Sequence, residues 1–279
     1  GTFNLTGTGS FVAQSDCTLV ITSSKGISGL TDGNIRSSTA RTFGSGINFV
    51  FAKNDGFNPI SMGTSFYSGG DINPATGIKN MTIDCPKGVY FASTYTGTAN
   101  TNESGSVTTI TYTGGNDITV NGTLNFVSGK LFTGDYVTVA TNSVPAVVVN
   151  SVSYYPIVST VITPGNTSAL KLNVGPSGSI TGASSSTGWV VGNLKKATSS
   201  GNSPSFNFAI GDATNYFPLA LTFSGNTSAD GELAIKSYPI ALSNLADSGI
   251  DNTKKVNRYW SLTNTNLAGF GTYQATFNY

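Results

Sequence analysis

The sequence predicts an all-β protein, a parallel β-solenoid over residues 1–187 followed by a β-sandwich over 188–279. Three observations predict it. Charged residues make up only 10% of the 279-residue chain against 34 glycines, and Thr, Ser and Asn stand where Lys and Glu stand in an ordinary helical protein. No window sustains an apolar period of about 3.6 residues. Apolar residues arrive instead in short bursts separated by Gly, Ser and Asn, the pattern of short strands joined by corners. Past residue 188 the runs lengthen and become regularly spaced, which suits a sandwich.

The grammar is clearest between Asn121 and Ala140. Two β-rich runs, Thr123–Val127 and Tyr136–Ala140, flank Leu131-Phe132, with Gly122, Gly129 and Gly134 where the backbone must turn. One such coil cannot bury its apolar side chains alone, so it predicts stacked neighbours.

The neighbours are present in order. Phe3-Asn4-Leu5, Ser10–Ala13 and Thr18–Thr22 form a first set, and Asn34–Arg36, Arg41–Phe43 and Asn48–Phe51 a second. From Lys53 to Ile78 the rhythm breaks at Asp55-Gly56, Asn58-Pro59, Gly69-Gly70 and Asn73-Pro74, which predicts an insertion at about 53–78 projecting from the solenoid. Met81–Ile83 and Val89–Phe91 resume the pattern, and Val107–Thr113 alternates with period two. Pro145–Ile162 is the most hydrophobic region and is expected deep between coils or at a covered seam. Leu170–Val174 and Ser179–Gly182 are the last weak strands before a Ser-rich joint at Ala183–Gly188. Phe206–Ile210, Tyr216–Phe223, Gly231–Tyr238, Val256–Thr263 and Thr272–Tyr279 are the sandwich strands.

A formal net charge of +1 gives no electrostatic footprint for nucleic acid or an anionic membrane. No stretch reaches the roughly 20 apolar residues of a spanning helix. The start at Gly1 shows neither an initiator Met nor a signal-peptide pattern, which reads as a mature or processed fragment. Cys17 and Cys85 are the two cysteines, and they form either a disulfide or two buried thiols. With no His in the chain, they cannot complete a tetrahedral zinc shell without carboxylates, and no metal site is expected.

A resemblance enters in the C-terminal third. Trp189–Leu194, Phe208–Asp212 followed by Tyr216–Leu219, and Val256–Leu262 resemble a module recurring in large surface proteins of the Bacteroidota, commonly exported by the type IX secretion system. In that family the module follows glycine- and threonine-rich β-solenoid coils similar to Thr123–Val139. The chain departs from it in showing no sorting domain after Tyr279 and in the length of the Lys53–Ile78 excursion. The resemblance implies a secreted, cell-surface, adhesin-like or filament-forming role, and carries over no catalytic residue or cofactor.

Candidate sites each have a structural alternative. Asp212, after Gly211, is either a calcium ligand or a turn aspartate bonded to its own backbone, and Asp84 reads as a corner residue. Trp189, Arg258 and Tyr259 could form a sugar-stacking platform; alternatively Trp260 is a core residue sharing a face with Leu262, and Arg258 and Tyr259 face outward. Tyr154-Tyr155-Pro156 is either an adhesive contact or edge packing. Asn4, Asn80, Asn102, Asn121, Asn166 and Asn226 open sequons, which arise by chance in so Thr- and Ser-rich a chain. Both terminal segments read as strands, which makes Phe3, Leu5, Phe277 and Tyr279 candidate assembly contacts with Tyr154 and Tyr155.

These readings converge on a non-enzymatic extracellular structural or adhesive protein, a self-assembling unit of a surface filament, layer or large adhesin. Its partners are copies of itself or neighbouring domains of a longer chain. A module binding surface glycans is the alternative. A β-helix polysaccharide-degrading enzyme would need two or three acids to converge in one cleft, and in sequence the acids are scattered singly.

Overall fold

A computed structural model describes residues 5–28, 32–37, 39–53, 59–66, 70–91, 94–97, 107–111, 117–133, 136–139, 147–149, 152–154, 159–162, 172–175, 178–238 and 258–278. Among these the protein is all-β, with a single 3₁₀ turn at Thr64–Phe66. Much of it is parallel. A central ladder runs through Thr18–Ile21, Ile47–Ala52, Ile78–Asp84, Thr123–Ser128 and Ser179–Thr181, each strand parallel to the next. A lateral ladder runs in the same sense through Ile60–Ser61, Val89–Tyr90, Leu131–Thr133, Val190–Gly192 and Ile210–Gly211.

Register explains why short strands suffice. Leu19, Phe49, Met81, Leu124 and Ile180 lie in one row across the central ladder, and Ile21, Phe51, Ile83 and Phe126 in the next inward row. In the first row the middle members are fully buried and Leu19 and Ile180 at its two ends are half-buried, since side chains there are covered by strands on one side only; in the second row the end member Ile21 is buried as well. Phe66 reaches in from the 3₁₀ turn, its ring 5.0 Å from Phe49. Tyr90 and Phe132 stack across the lateral ladder at 4.3 Å.

The outward rows carry hydrogen bonds. Asn80 Nδ2 donates to Asn48 Oδ1 at 2.7 Å, and Asn80 Oδ1 accepts from the Thr123 amide at 2.8 Å. Further along, Ser128 Oγ donates to Asp84 Oδ1, and Thr181 Oγ1 to Asn125 Oδ1. Gly129 turns the corner with φ 86°, and a Cβ there would stand 1.7 Å from the Cys85 carbonyl oxygen. Only glycine fits both conditions.

The chain departs from the expected layout in several places. Ile60, Met62, Phe66 and Ile72, all within the stretch expected to project at 53–78, are fully buried, and Ile60–Ser61 belongs to the lateral ladder. Isolated apolar residues among turn signals hid this. Tyr136–Val139 does not continue the coil read at Asn121–Ala140. It pairs antiparallel with Val107–Thr111 and Ser159–Ile162, in a four-stranded sheet that also holds Thr94–Gly97. β-propensity marked these residues as strands without specifying their partners. Val147–Val149 and Val152–Tyr154 form a hairpin, and the expected burial of Pro145–Ile162 lies outside the described side chains.

Parallel pairing also continues past residue 187. Ile118–Val120, Leu172–Val174 and Leu194–Thr198 form a third parallel ladder, joined to the central one where Ile78 meets Val120. On its far side Leu194–Thr198 pairs antiparallel with Gly231–Tyr238, which pairs antiparallel with Tyr259–Thr265. One sheet thus crosses from parallel to antiparallel order. A separate antiparallel sheet holds Ser205–Phe208, Leu219–Phe223 and Tyr273–Phe277. Trp260 packs against the core, 4.9 Å from the Phe277 ring, while Leu262 on the same face is exposed.

Cys17 and Cys85 are separate thiols, Cys17 half-buried and Cys85 buried. Thr18, Asn48 and Asn80 share a row, so the two cysteines lie six residues apart along the strands. That is about 20 Å at ~3.3 Å per residue, beyond the Cα span of about 7 Å that a disulfide tolerates.

Candidate functional site

The residues read as a sugar platform are mostly buried. Trp189 lies just before Val190–Gly192 and is 3% exposed, its Nε1 donating to the Asp212 carbonyl oxygen at 2.8 Å. Asp212 follows the last lateral strand. Its Oδ1 accepts from the amides of Thr214 and Asn215 at 2.6 and 2.7 Å, and its Oδ2 accepts from Arg258 Nη2 at 2.5 Å. Both carboxylate oxygens are therefore engaged, and the turn reading of Asp212 holds over the calcium reading. Among the described residues no three acids or cysteines gather as a metal shell.

Arg258 does not face outward. Its guanidinium lies 3.5 Å over the Phe217 ring, and the Arg258 and Asp212 side chains are 9% and 7% exposed. Lys130, which sequence reasoning passed over, donates to the Ala213 carbonyl oxygen at 2.6 Å and sits 4.5 Å over the Trp189 ring. Burial lowers the Lys130 pKa while Asp212 pulls it upward, and burial raises that of Tyr216, whose ring is 5.6 Å from Trp189. The cluster locks the end of the lateral ladder to the last strands. Trp189 and Arg258, read as carbohydrate contacts, are engaged inside it, and it presents no open face of the Trp189 ring. Tyr259 is half-buried, stacked on Tyr238 at 4.5 Å.

The first-row strands are open. Leu5–Gly7, Phe11–Ala13 and Thr18–Ile21 each pair on one side, with Ile35–Ser37, Arg41–Phe43 and Ile47–Ala52, and on the other side have no strand partner among the described residues. Leu5, Val12 and Val20 are 56%, 54% and 55% exposed on these strands. A groove of about 320 Å³ lined by Leu5, Phe11, Leu19, Val20, Ile21 and Ile35 runs beside them. Asn34 also lines it, its Oδ1 accepting from the amides of Thr22 and Ser23.

At the other end, Tyr273 and Phe277 are exposed on the edge strand Tyr273–Phe277. Of the other assembly candidates, Phe3, Tyr155 and Tyr279 lie outside the described residues, as does the side chain of Tyr154. A second groove, polar and of about 300 Å³, is bordered by Lys196, Thr198, Asn202, Ser203 and Phe206, and burial lowers the Lys196 pKa. Among the described residues no helix is long and apolar enough to cross a membrane. Compared with known protein families, curated proteins and solved structures, the chain matches none.

Proposed function

We propose that the chain is a non-enzymatic extracellular structural or adhesive protein, a unit of a surface filament, layer or large adhesin, built as a β-solenoid running into a β-sandwich. The observation that carries this reading is the open first row. On one side three strands, carrying Leu5, Val12 and Val20, have no strand partner among the described residues, and such an edge is a template for a further strand unless it is covered. A copy of the chain, or a neighbouring domain of a longer one, would satisfy the backbone groups and bury the groove together. The charge-poor, hydroxyl-rich composition and the resemblance to type IX-exported surface proteins support placing this assembly outside the cell.

Electron microscopy of the purified native protein is the test. Ordered filaments, sheets or end-to-end particles are expected, and Val20→Lys, which puts a charge on the open edge, should disperse them. Monomers unchanged by concentration would overturn the reading.

A further inference from the structure

Lys195 sits in Leu194–Thr198, the strand at which the sheet turns from parallel to antiparallel. Its side chain is only 11% exposed, and its Nζ meets two carboxylates. Asp117, immediately before Ile118–Val120, contacts it through Oδ2. Glu232 contacts it through Oε2 at 2.7 Å. Lys195 is in register with Ala234, and Ala197 with Glu232, so Glu232 is the diagonal neighbour of Lys195 on the same face. Asn173 occupies the strand between Asp117 and Lys195, in register with Lys195. The Asn173 Oδ1 is buried and accepts no hydrogen bond among the described residues.

An ion pair needs one carboxylate. Here a mostly buried amine, an acid carbon and a second carboxylate meet at one point, which are the nucleophile, electrophile and proton carrier of an amide-forming reaction. We propose that Lys195 and Asp117 condense into an intramolecular isopeptide bond, with Glu232 carrying the protons. This rests on the triad alone and is independent of the assembly reading.

The balance is simple. One proton of the Lys195 ammonium passes through Glu232 to the Asp117 carboxylate, leaving a neutral amine against a carboxylic acid. The Nζ lone pair attacks Asp117 Cγ and the N–C bond forms. Glu232 takes a further proton from that nitrogen and returns it to the departing hydroxyl, the C–O bond breaks, and one water leaves. Glu232 ends as the carboxylate it began as, and nothing is oxidised or reduced.

Held geometry lowers the barrier to condensation, since groups fixed in contact react as though present at roughly 10⁵ M or more. Burial pushes the Lys195 pKa down and its bonds to Asp117 and Glu232 more than offset this, so the amine stays charged until its proton is passed on. The product replaces a partly buried ion pair by a neutral amide, removing the desolvation cost of the mostly buried ammonium. Asn173, in register with Lys195 on the neighbouring strand, has an Oδ1 that accepts no hydrogen bond among the described residues and offers an acceptor for the new N–H.

Intact mass of the purified full chain, denatured and reduced, decides the matter. A mass lower than the sequence value by one water is expected, with a branched peptide after proteolysis joining the segments around Asp117 and Lys195. The full sequence mass would overturn the bond. Lys195→Arg keeps the positive charge but not the amine, and should restore the missing water. A Lys195→Arg protein still light by one water would place the loss elsewhere and sink the proposal. Glu232→Gln should leave the bond unformed in a folded chain with an unchanged circular dichroism spectrum, and full condensation in that variant would remove Glu232 from the reaction.

Discussion

The parallel ladders and the antiparallel C-terminal strands bury their side chains by different means. In the ladders Phe49 is covered by Leu19 on one side and Met81 on the other, so burial in this row comes from repetition and weakens at its ends, at Leu19 and Ile180. Past Leu194–Thr198 no further parallel strand covers the sheet among the described residues, and packing there comes from elsewhere, as where Trp260 meets Phe277. Buried charges occur on both sides of this divide, for the Arg41 side chain, on the parallel-paired strand Arg41–Phe43, is 3% exposed and pairs with Asp71 at 2.5 Å. The described inward rows of the central ladder carry no ionisable side chain, whereas Lys130, Asp117, Lys195, Asp212, Glu232 and Arg258 gather where parallel order ends. Repetition needs no specific partner, whereas the Arg258–Asp212 pair ties the last strands to the end of the lateral ladder.

Substitutions can break or sharpen that contrast. The largest effect is expected from Phe49→Ala, which empties the middle of a row and should cost about 3–5 kcal/mol. Leu19→Ala, in the same row but half-buried at its end, should cost less than half as much by denaturant unfolding; equal losses would mean that stacking does not govern burial. Arg258→Ala leaves the Asp212 carboxylate buried with one partner fewer and uncovers Phe217, and a loss of about 3 kcal/mol is expected. The accompanying shift in Trp189 fluorescence would report the same cluster. At the small end is Lys79 with Asp16, a 2.7 Å pair whose side chains are 53% and 68% exposed. Asp16→Asn should change stability by no more than about 0.5 kcal/mol, because solvent screens the pair.

Much of the strand content was legible in the residues. Leu131-Phe132, the corner at Gly129 and the turn role of Asp212 follow from local chemistry, in which a glycine with positive φ or an aspartate bonded to its own turn leaves a mark within a few positions. The partners were not legible. Tyr136–Val139 has the composition of a ladder strand and pairs elsewhere, and Trp189 reads as exposed until Asp212 and Lys130 close over it. The Lys195 triad was hidden for the same reason. Asp117 and Lys195 are 78 residues apart, and only the register of four strands brings them together with Glu232.

The outward hydrogen bonds of the central ladder bear on how this chain can vary. Successive bridges close loops of 32 residues from Asn48 to Asn80, 43 from Asn80 to Thr123 and 56 from Asn125 to Thr181. Closure entropy grows only with the logarithm of length, so the longest loop costs roughly 0.5 kcal/mol more than the shortest. Excursions of very different size can leave the ladder and return to the same row at little cost. Variation in length is therefore expected to collect between rows, in the segments around Thr94–Val107 and Tyr136–Ile162, while the spacing within a row stays fixed.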